Sequence, residues 1–220
     1  MTYLELVNDV LVRLREGTVS SVSDTTYSQL IGKFVRDAQR KVEDAYNWNS
    51  LSQTLTMETV ADSFNAVLVG SGQRFRVIDA INDTSDWFLR YMPTSEMTRN
   101  FLLATPQRGA PEYYNFNGTK RDSSSGIMDT QVDIYPIPDG VYSLRFNIIQ
   151  PQDPLTNDTD ELIVPEEPVI FLAYAKAIAE RGEDGGMNSS EAYALYLESL
   201  SEAIANEANR YPEELVWTSY

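Results

Sequence analysis

Residues 2–17, TYLELVNDVLVRLREG, and residues 27–49, YSQLIGKFVRDAQRKVEDAYNWN, decide the fold. Each reads as an amphipathic helix, and a short Ser/Thr-rich loop joins the two. In the first, Thr2 and Glu5 stand at the capping-box spacing. Leu4, Val7, Leu11 and Leu14 follow at three- and four-residue steps on one face. Gly17 is placed to close the helix through a left-handed turn. In the second, Tyr27, Leu30, Ile31, Phe34, Val35, Ala38, Val42 and Ala45 keep the same period. Arg36, Asp37, Arg40, Lys41 and Asp44 fill the other face, and Ser23 or Asp24 is the expected cap. Stripes this broad must be buried, so each helix needs a partner.

The partners return near the other end of the chain, at residues 166–209. Pro165 and Pro168 mark a helix entrance, where a missing N–H costs nothing, and Glu166 and Glu167 suit the positive end of the dipole. Val169-Ile170-Phe171-Leu172-Ala173-Tyr174-Ala175 is apolar almost all round, which predicts a central, buried helix. Arg181 and Gly182 end it. After the loop GEDGGMN, Asn188 and Glu191 form a second capping pair. Tyr193, Tyr196, Leu197, Leu200, Ile204 and Ala208 mark the apolar stripe of the last helix.

Residues 50–164 change character. LSQTLTM alternates apolar and polar side chains from Leu51 to Met57, as a half-buried strand does. FNAVLVG, RFRVIDAIN, WFLRY, TQVDIYP and YSLRFNIIQP are further strands. Gly70-Ser71-Gly72, Asp83 to Asp86 and Pro138-Asp139-Gly140 are the turns between them. TSEMTRNFLL, residues 94–103, predicts one short helix capped by Thr94 or Ser95, and residues 118–129, GTKRDSSSGIMD, a polar loop. The fold class is therefore α+β. A helical bundle formed by N- and C-terminal helix pairs (1–49 and 165–209) carries an inserted antiparallel β domain (50–164) and ends in an extended arm (210–220).

Composition narrows the function. The chain has 220 residues, enough for a real core. The N-terminus is an amphipathic helix rather than a secretory leader, and no stretch is long and apolar enough to span a membrane. Cysteine and histidine are both absent, which excludes disulfides, thiol chemistry and any Ser-His-Asp triad, and removes the usual zinc ligands. No cofactor or metal is expected. The 33 Asp and Glu residues leave a formal charge of −16, which disfavours tight binding to a phosphate backbone. With so many acids, a carboxylate pair at a useful separation would occur by chance in any fold. The chain is not expected to be an enzyme.

Three small patterns carry a chemical and a plain reading. Gly70-Ser71-Gly72 lacks the rest of a phosphate-loop signature and reads as a turn between strands. Asp158, Asp160 and Glu161 lack the spacing of a calcium loop and read as a solvated acidic turn. Tyr113, Tyr114 and Phe116 could stack bases or sugars, but aromatics at strand spacing read first as core or subunit contacts. Arg74 and Arg76, alternating with Phe75 and Val77, read as one exposed strand face.

The C-terminal segment RYPEELVWTSY differs from the rest. Pro212 stops the preceding helix, and Leu215, Val216, Trp217 and Tyr220 are too few to make a core of their own. They either fold back on the bundle or dock on another subunit, for which aromatics make good anchors.

Several segments together carry a resemblance: YLELVNDVLVRLRE, SQLIGKFVRDAQRKVEDAYNWN, INDTSDWFL, PEYYNFNG, PIPDG, AKAIAERGEDGG and SSEAYALYLESL. In their order the chain resembles the head-to-tail connector adaptors of tailed bacteriophages, the group that includes tail tubular protein A. The resemblance implies a structural virion protein of the phage neck, made in the host cytoplasm. It implies a homo-oligomeric ring of twelve copies between the portal protein and the tail nozzle or tail tube protein. The genome would pass through that ring during ejection without specific DNA binding. It also implies that the arm reaches the portal, with Arg210, Tyr211, Pro212, Glu213, Glu214, Leu215, Val216, Trp217 and Tyr220 as the portal-interaction residues. The alternatives are a carboxylate-dependent phage glycan hydrolase and another tail or baseplate component.

Overall fold

The computed structural model describes residues 1–103, 105–121, 128–182 and 187–210. The chain is α+β and divides into two compact units, residues 1–51 with 151–220 and residues 52–150.

In the helical unit, α1 (Tyr3–Arg13), α2 (Thr26–Ala45), α4 (Glu166–Arg181) and α5 (Met187–Ala208) follow the expected periods. α4 is the hub, packing against α1, α2 and α5. It is apolar nearly all round, and Val169, Ile170, Leu172, Ala173 and Ala177 are buried. Leu6, Val7 and Val10 of α1 and Ile31, Val35 and Val42 of α2 complete the interior, with Trp48 donating its indole N–H to the Val42 carbonyl at 2.7 Å. Leu30 and Phe34 are only half-buried and Ala45 is exposed, so the core stripe of α2 is narrower than its period suggests.

The ends of the helices show which local signals were decisive. The capping box at Thr2 and Glu5 forms. Gly17 does not close α1. The helix stops three residues earlier at Leu14, and Arg15 takes the left-handed backbone with φ 61°. α2 is capped by Thr25, whose hydroxyl accepts from the Ser28 N–H while Ser28 reaches back. Ser23 is not the cap. Asp24 is spent one turn earlier, accepting from the Ser20 and Ser21 backbone at 2.8 and 2.9 Å. α4 ends as expected on Gly182, φ 63°. Asn188 lies inside the first turn of α5, which begins at Met187, rather than before it.

Residues 151–164, grouped by sequence with the β region, belong to the helical unit. They run along α1 and α2 with Leu155, Leu162 and Val164 buried. Tyr3 and Leu4 N–H donate to the Asp160 and Asp158 carbonyls, and the Leu162 N–H to that of Met1. Gln39, buried on α2, donates to Glu43 and to the Asp153 carbonyl, so this stretch is fastened by polar groups that carry no periodic signal.

The second unit holds two four-stranded sheets. β1 (Ser52–Glu58), β8 (Ser143–Ile149), β3 (Arg76–Asn82) and β4 (Trp87–Phe88) form one in that order, and β2 (Asn65–Leu68), β7 (Met128–Tyr135), β6 (Tyr113–Arg121) and β5 (Arg90–Tyr91) the other. Leu68, Val132, Ile134, Leu144, Phe146 and Ile148 fill the core shared by the two sheets. WFLRY, one strand by sequence, is two short strands on different sheets, divided at buried Leu89. The insertion is not wholly antiparallel, because β5 pairs with β6 in parallel. The supposed polar loop is also shorter, since residues 118–121 continue β6 and β7 begins at Met128.

The short helix α3 (Thr94–Phe101) follows Pro93 without a side-chain cap. Thr94 is engaged instead by buried Asn115, whose amide donates to the threonine hydroxyl at 3.1 Å and to the Met92 carbonyl at 2.6 Å.

Candidate interaction surfaces

Each chemical motif of the sequence has an internal structural use. In the turn at Gly70-Ser71-Gly72, the Gly70 and Gly72 N–H groups donate to Asp129 Oδ1 at 3.1 and 3.2 Å. The backbone donors that a phosphate would need are thus taken by the chain's own carboxylate. Among the acidic turn residues, Asp160 accepts from the Thr156 and Asn157 N–H groups, both at 2.7 Å. These bonds, led by that from Asn157, favour the charged form and lower its pKa to about 2. Asp158 accepts from the Val22 N–H at 3.1 Å. Both carboxylates therefore fasten loops, and among the described residues no group of acidic side chains is placed to hold a metal ion.

Tyr114 is buried in the sheet core, edge-on to Phe116 and Phe146, and Tyr113 packs with Met97 and Tyr135. These rings are core, and sequence already favoured that over stacking. Arg74 and Arg76 are exposed, Arg76 at the start of β3.

Of the residues assigned to the arm, Arg210 is described. It is exposed just past α5 and pairs with Glu207 at 3.5 Å, one turn back. Tyr211, Pro212, Glu213, Glu214, Leu215, Val216, Trp217 and Tyr220 lie outside the described residues.

The surface that periodicity alone did not reveal is α5 itself. Only Ala192, Tyr196 and Ser199 are buried on this long helix. Tyr193 is 49 % exposed, Leu195 45 % and Leu197 49 %. The stripe taken from sequence as core therefore straddles the edge of the contact with α4. Beside it, Leu172 and Ala175 of α4, Tyr193 and Tyr196 of α5, and Lys41 and Lys176 line an open groove of about 480 Å³. Lys176 reaches Asp37 of α2 at 3.0 Å.

Two other grooves flank α4 within this unit. One, about 470 Å³, carries Arg13, Arg15 and Arg181 beside Leu195. Arg13 and Arg181 have internal work. Arg13 pairs with Asp9 and lies over the Phe171 ring, while Arg181 bonds the Tyr27 hydroxyl and pairs with Glu16. The other lies between the entrance of α4 and the end of α5 and is acidic, with Glu166, Glu167, Glu202 and Glu207. The β unit exposes further apolar side chains, among them Phe88, Tyr91 and Leu102.

Exposed apolar side chains on a helix that is packed along one side only mark a face suited to contact with another protein. No curated protein matches the chain. The family model for the SU10 adaptor protein matches residues 1–217, nearly the whole length. The chain therefore belongs to the SU10 adaptor protein family and is a structural phage adaptor.

Proposed function

We propose that the chain is a head-to-tail adaptor of the tail tubular protein A type. It forms a homo-oligomeric ring, of twelve copies by resemblance, seated between the portal and the tail nozzle or tube. In this reading it is a virion component of the neck, made in the host cytoplasm, and its role is structural rather than catalytic. The single observation that carries the reading is α5, whose exposed Tyr193, Leu195 and Leu197 ask for a protein partner, within a chain matched end to end by an adaptor family.

The acidic balance, −16 overall, suits a channel wall past which DNA must slide, because like charge keeps the duplex from adhering. The portal contact is assigned to the arm, Arg210 to Tyr220, with Trp217 and Tyr220 as anchors and Glu213 and Glu214 facing basic portal side chains. A reconstruction of the particle neck tests the proposal. The expected result is a closed ring of this chain below the portal. Its presence elsewhere in the tail, or its absence from the particle, would refute it.

A further inference from the structure

We infer that the outer side of α5 is the face through which one copy binds the next, and that it lands on the basic stripe of α2 of the neighbour. The inference rests on the ring reading above and adds the two surfaces that make the contact. Past the edge where α5 meets α4, Tyr193, Leu197, Leu200 and Ile204 recur at four-, three- and four-residue steps, exposed or half-buried. On the solvent side of the same helix, Glu198 and Glu202 are exposed, and residues 187–208 contain no Lys or Arg.

α2 is the complement. Its outward side carries exposed Lys33, Arg40 and Lys41 and half-buried Arg36, none with an ion-pair partner among the described residues, together with the acids Asp37, which is tied to Lys176, and Asp44. Leu30 and Phe34, half-buried on the same helix, offer an apolar edge to that stripe. In a chain of charge −16, a helix side on which four cations outnumber two acids is a local exception.

The charge pattern chooses the occupant and the symmetry. Two α5 faces related by a two-fold axis would oppose glutamate to glutamate, and like charges at an interface are costly. α5 against α2 opposes acid to base and apolar edge to apolar edge. Formed in one direction only, as the ring reading requires, the contact is heterologous and repeats until it closes into a ring or runs on as a filament; formed reciprocally it would stop at a dimer.

Charge reversal tests the pairing in the full chain, since all the altered side chains lie on the surface. One variant carries Glu198→Lys with Glu202→Lys, and the other Lys33→Glu with Arg40→Glu. Association is followed by light scattering and native mass spectrometry, and folding by circular dichroism. Each variant alone should associate at least about tenfold more weakly than the parent. An equimolar mixture should assemble in alternation, because each reversed face then meets its complement. Carbodiimide coupling of the parent, in a mixture of light and heavy isotopic copies, should join Glu202 of one copy to Lys33 or Lys41 of another.

A parent chain that stays monomeric, reversals without effect, or inter-copy links elsewhere would each overturn the inference. Its failure is separable from that of the adaptor reading. A ring at the neck that tolerates both reversals removes this interface and keeps the adaptor. Rescue by mixing, with no copy of the chain at the neck, keeps the interface and removes the adaptor.

Discussion

Gly32 sits inside α2 against the Tyr3 side chain of α1 and Val22 of the loop between the two helices, and replacing it with alanine is a sensitive test of that packing. A Cβ at residue 32 would fall on the Tyr3 hydroxyl and come within 2.8 Å of Val22 Cγ1. Both neighbours are buried, Tyr3 at 4 % and Val22 at 8 % exposure, so neither can swing into solvent. Two effects oppose each other. Alanine in a helix interior is favoured over glycine by about 1 kcal/mol. Forcing a methyl group into a filled site costs about 1–3 kcal/mol. The net expectation for Gly32→Ala is a loss of about 0–2 kcal/mol, where an open site would show a gain of about 1 kcal/mol.

The double variant with Tyr3→Phe isolates the cause. Deleting the hydroxyl removes the nearest atom but leaves Val22 Cγ1 at 2.8 Å and the ring carbon at 3.1 Å, so the alanine should still cost something, though about 1 kcal/mol less, in the Tyr3→Phe background. Urea melts of the four proteins, followed by far-UV circular dichroism, supply the cycle. A stabilised Gly32→Ala chain, or a cycle that closes with no coupling, would refute the close approach of α1 and α2 drawn here.

Other outcomes are as definite. Leu172→Ala, in the buried floor of the α4 groove, should cost about 2–5 kcal/mol by thermal melting, and half-buried Phe34→Ala should cost less. Asp160, with its pKa lowered to about 2, contributes stability that is whole above the ordinary carboxylate range near pH 4 and is lost as pH falls towards 2. Asp160→Asn should flatten that part of a stability-against-pH curve, and an unchanged curve would remove the residue from the acid response. The free chain should not shift duplex DNA in a gel at physiological salt, and tight binding there would contradict an acidic, non-adhesive channel. Removing residues 211–220 should abolish attachment to DNA-filled heads in a complementation assay. Normal attachment would move the portal contact to the helices.

What could be read from sequence, and what could not, follows the range of each interaction. Thr2 with Glu5, and Gly182 after Arg181, are signals complete within one turn, and both are found where the pattern puts them. The all-apolar run Val169–Ala175 likewise marks the hub, because a helix with no polar side has nowhere to be except inside. WFLRY fails as a single strand because its two halves pair with different sheets, Trp87–Phe88 with the preceding strand β3 and Arg90–Tyr91 with the more distant β6, a choice that the alternation within the segment does not record. Residues 151–164 fail as part of the β region for a related reason. Their contacts are backbone bonds to α1 and a buried Gln39, neither of which leaves a period. The site was the least legible. Spacing shows that α5 has an apolar stripe but not what covers it, and α4 covers only the side at Ala192, Tyr196 and Ser199.

That incomplete cover bears on how copies of the chain would recognise one another in the proposed ring. Glu198 and Glu202 are exposed on the same helix as Tyr193, Leu197, Leu200 and Ile204 but, each two residues from Leu200, lie well round the helix from that stripe. Those carboxylates keep the exposed helix hydrated and set α5 faces against one another, so dimers related by a two-fold axis are disfavoured by the same charges that attract α2. The four cations of α2 have the converse effect. In the proposed contact they offer a second acidic copy a side of the helical unit that carries more base than acid. In the proposed ring, directionality would need no conformational switch. It follows from placing base on one helix and acid on another, both packed on the hub helix α4. Apolar contact supplies the attraction at short range, and charge decides which face is reached first.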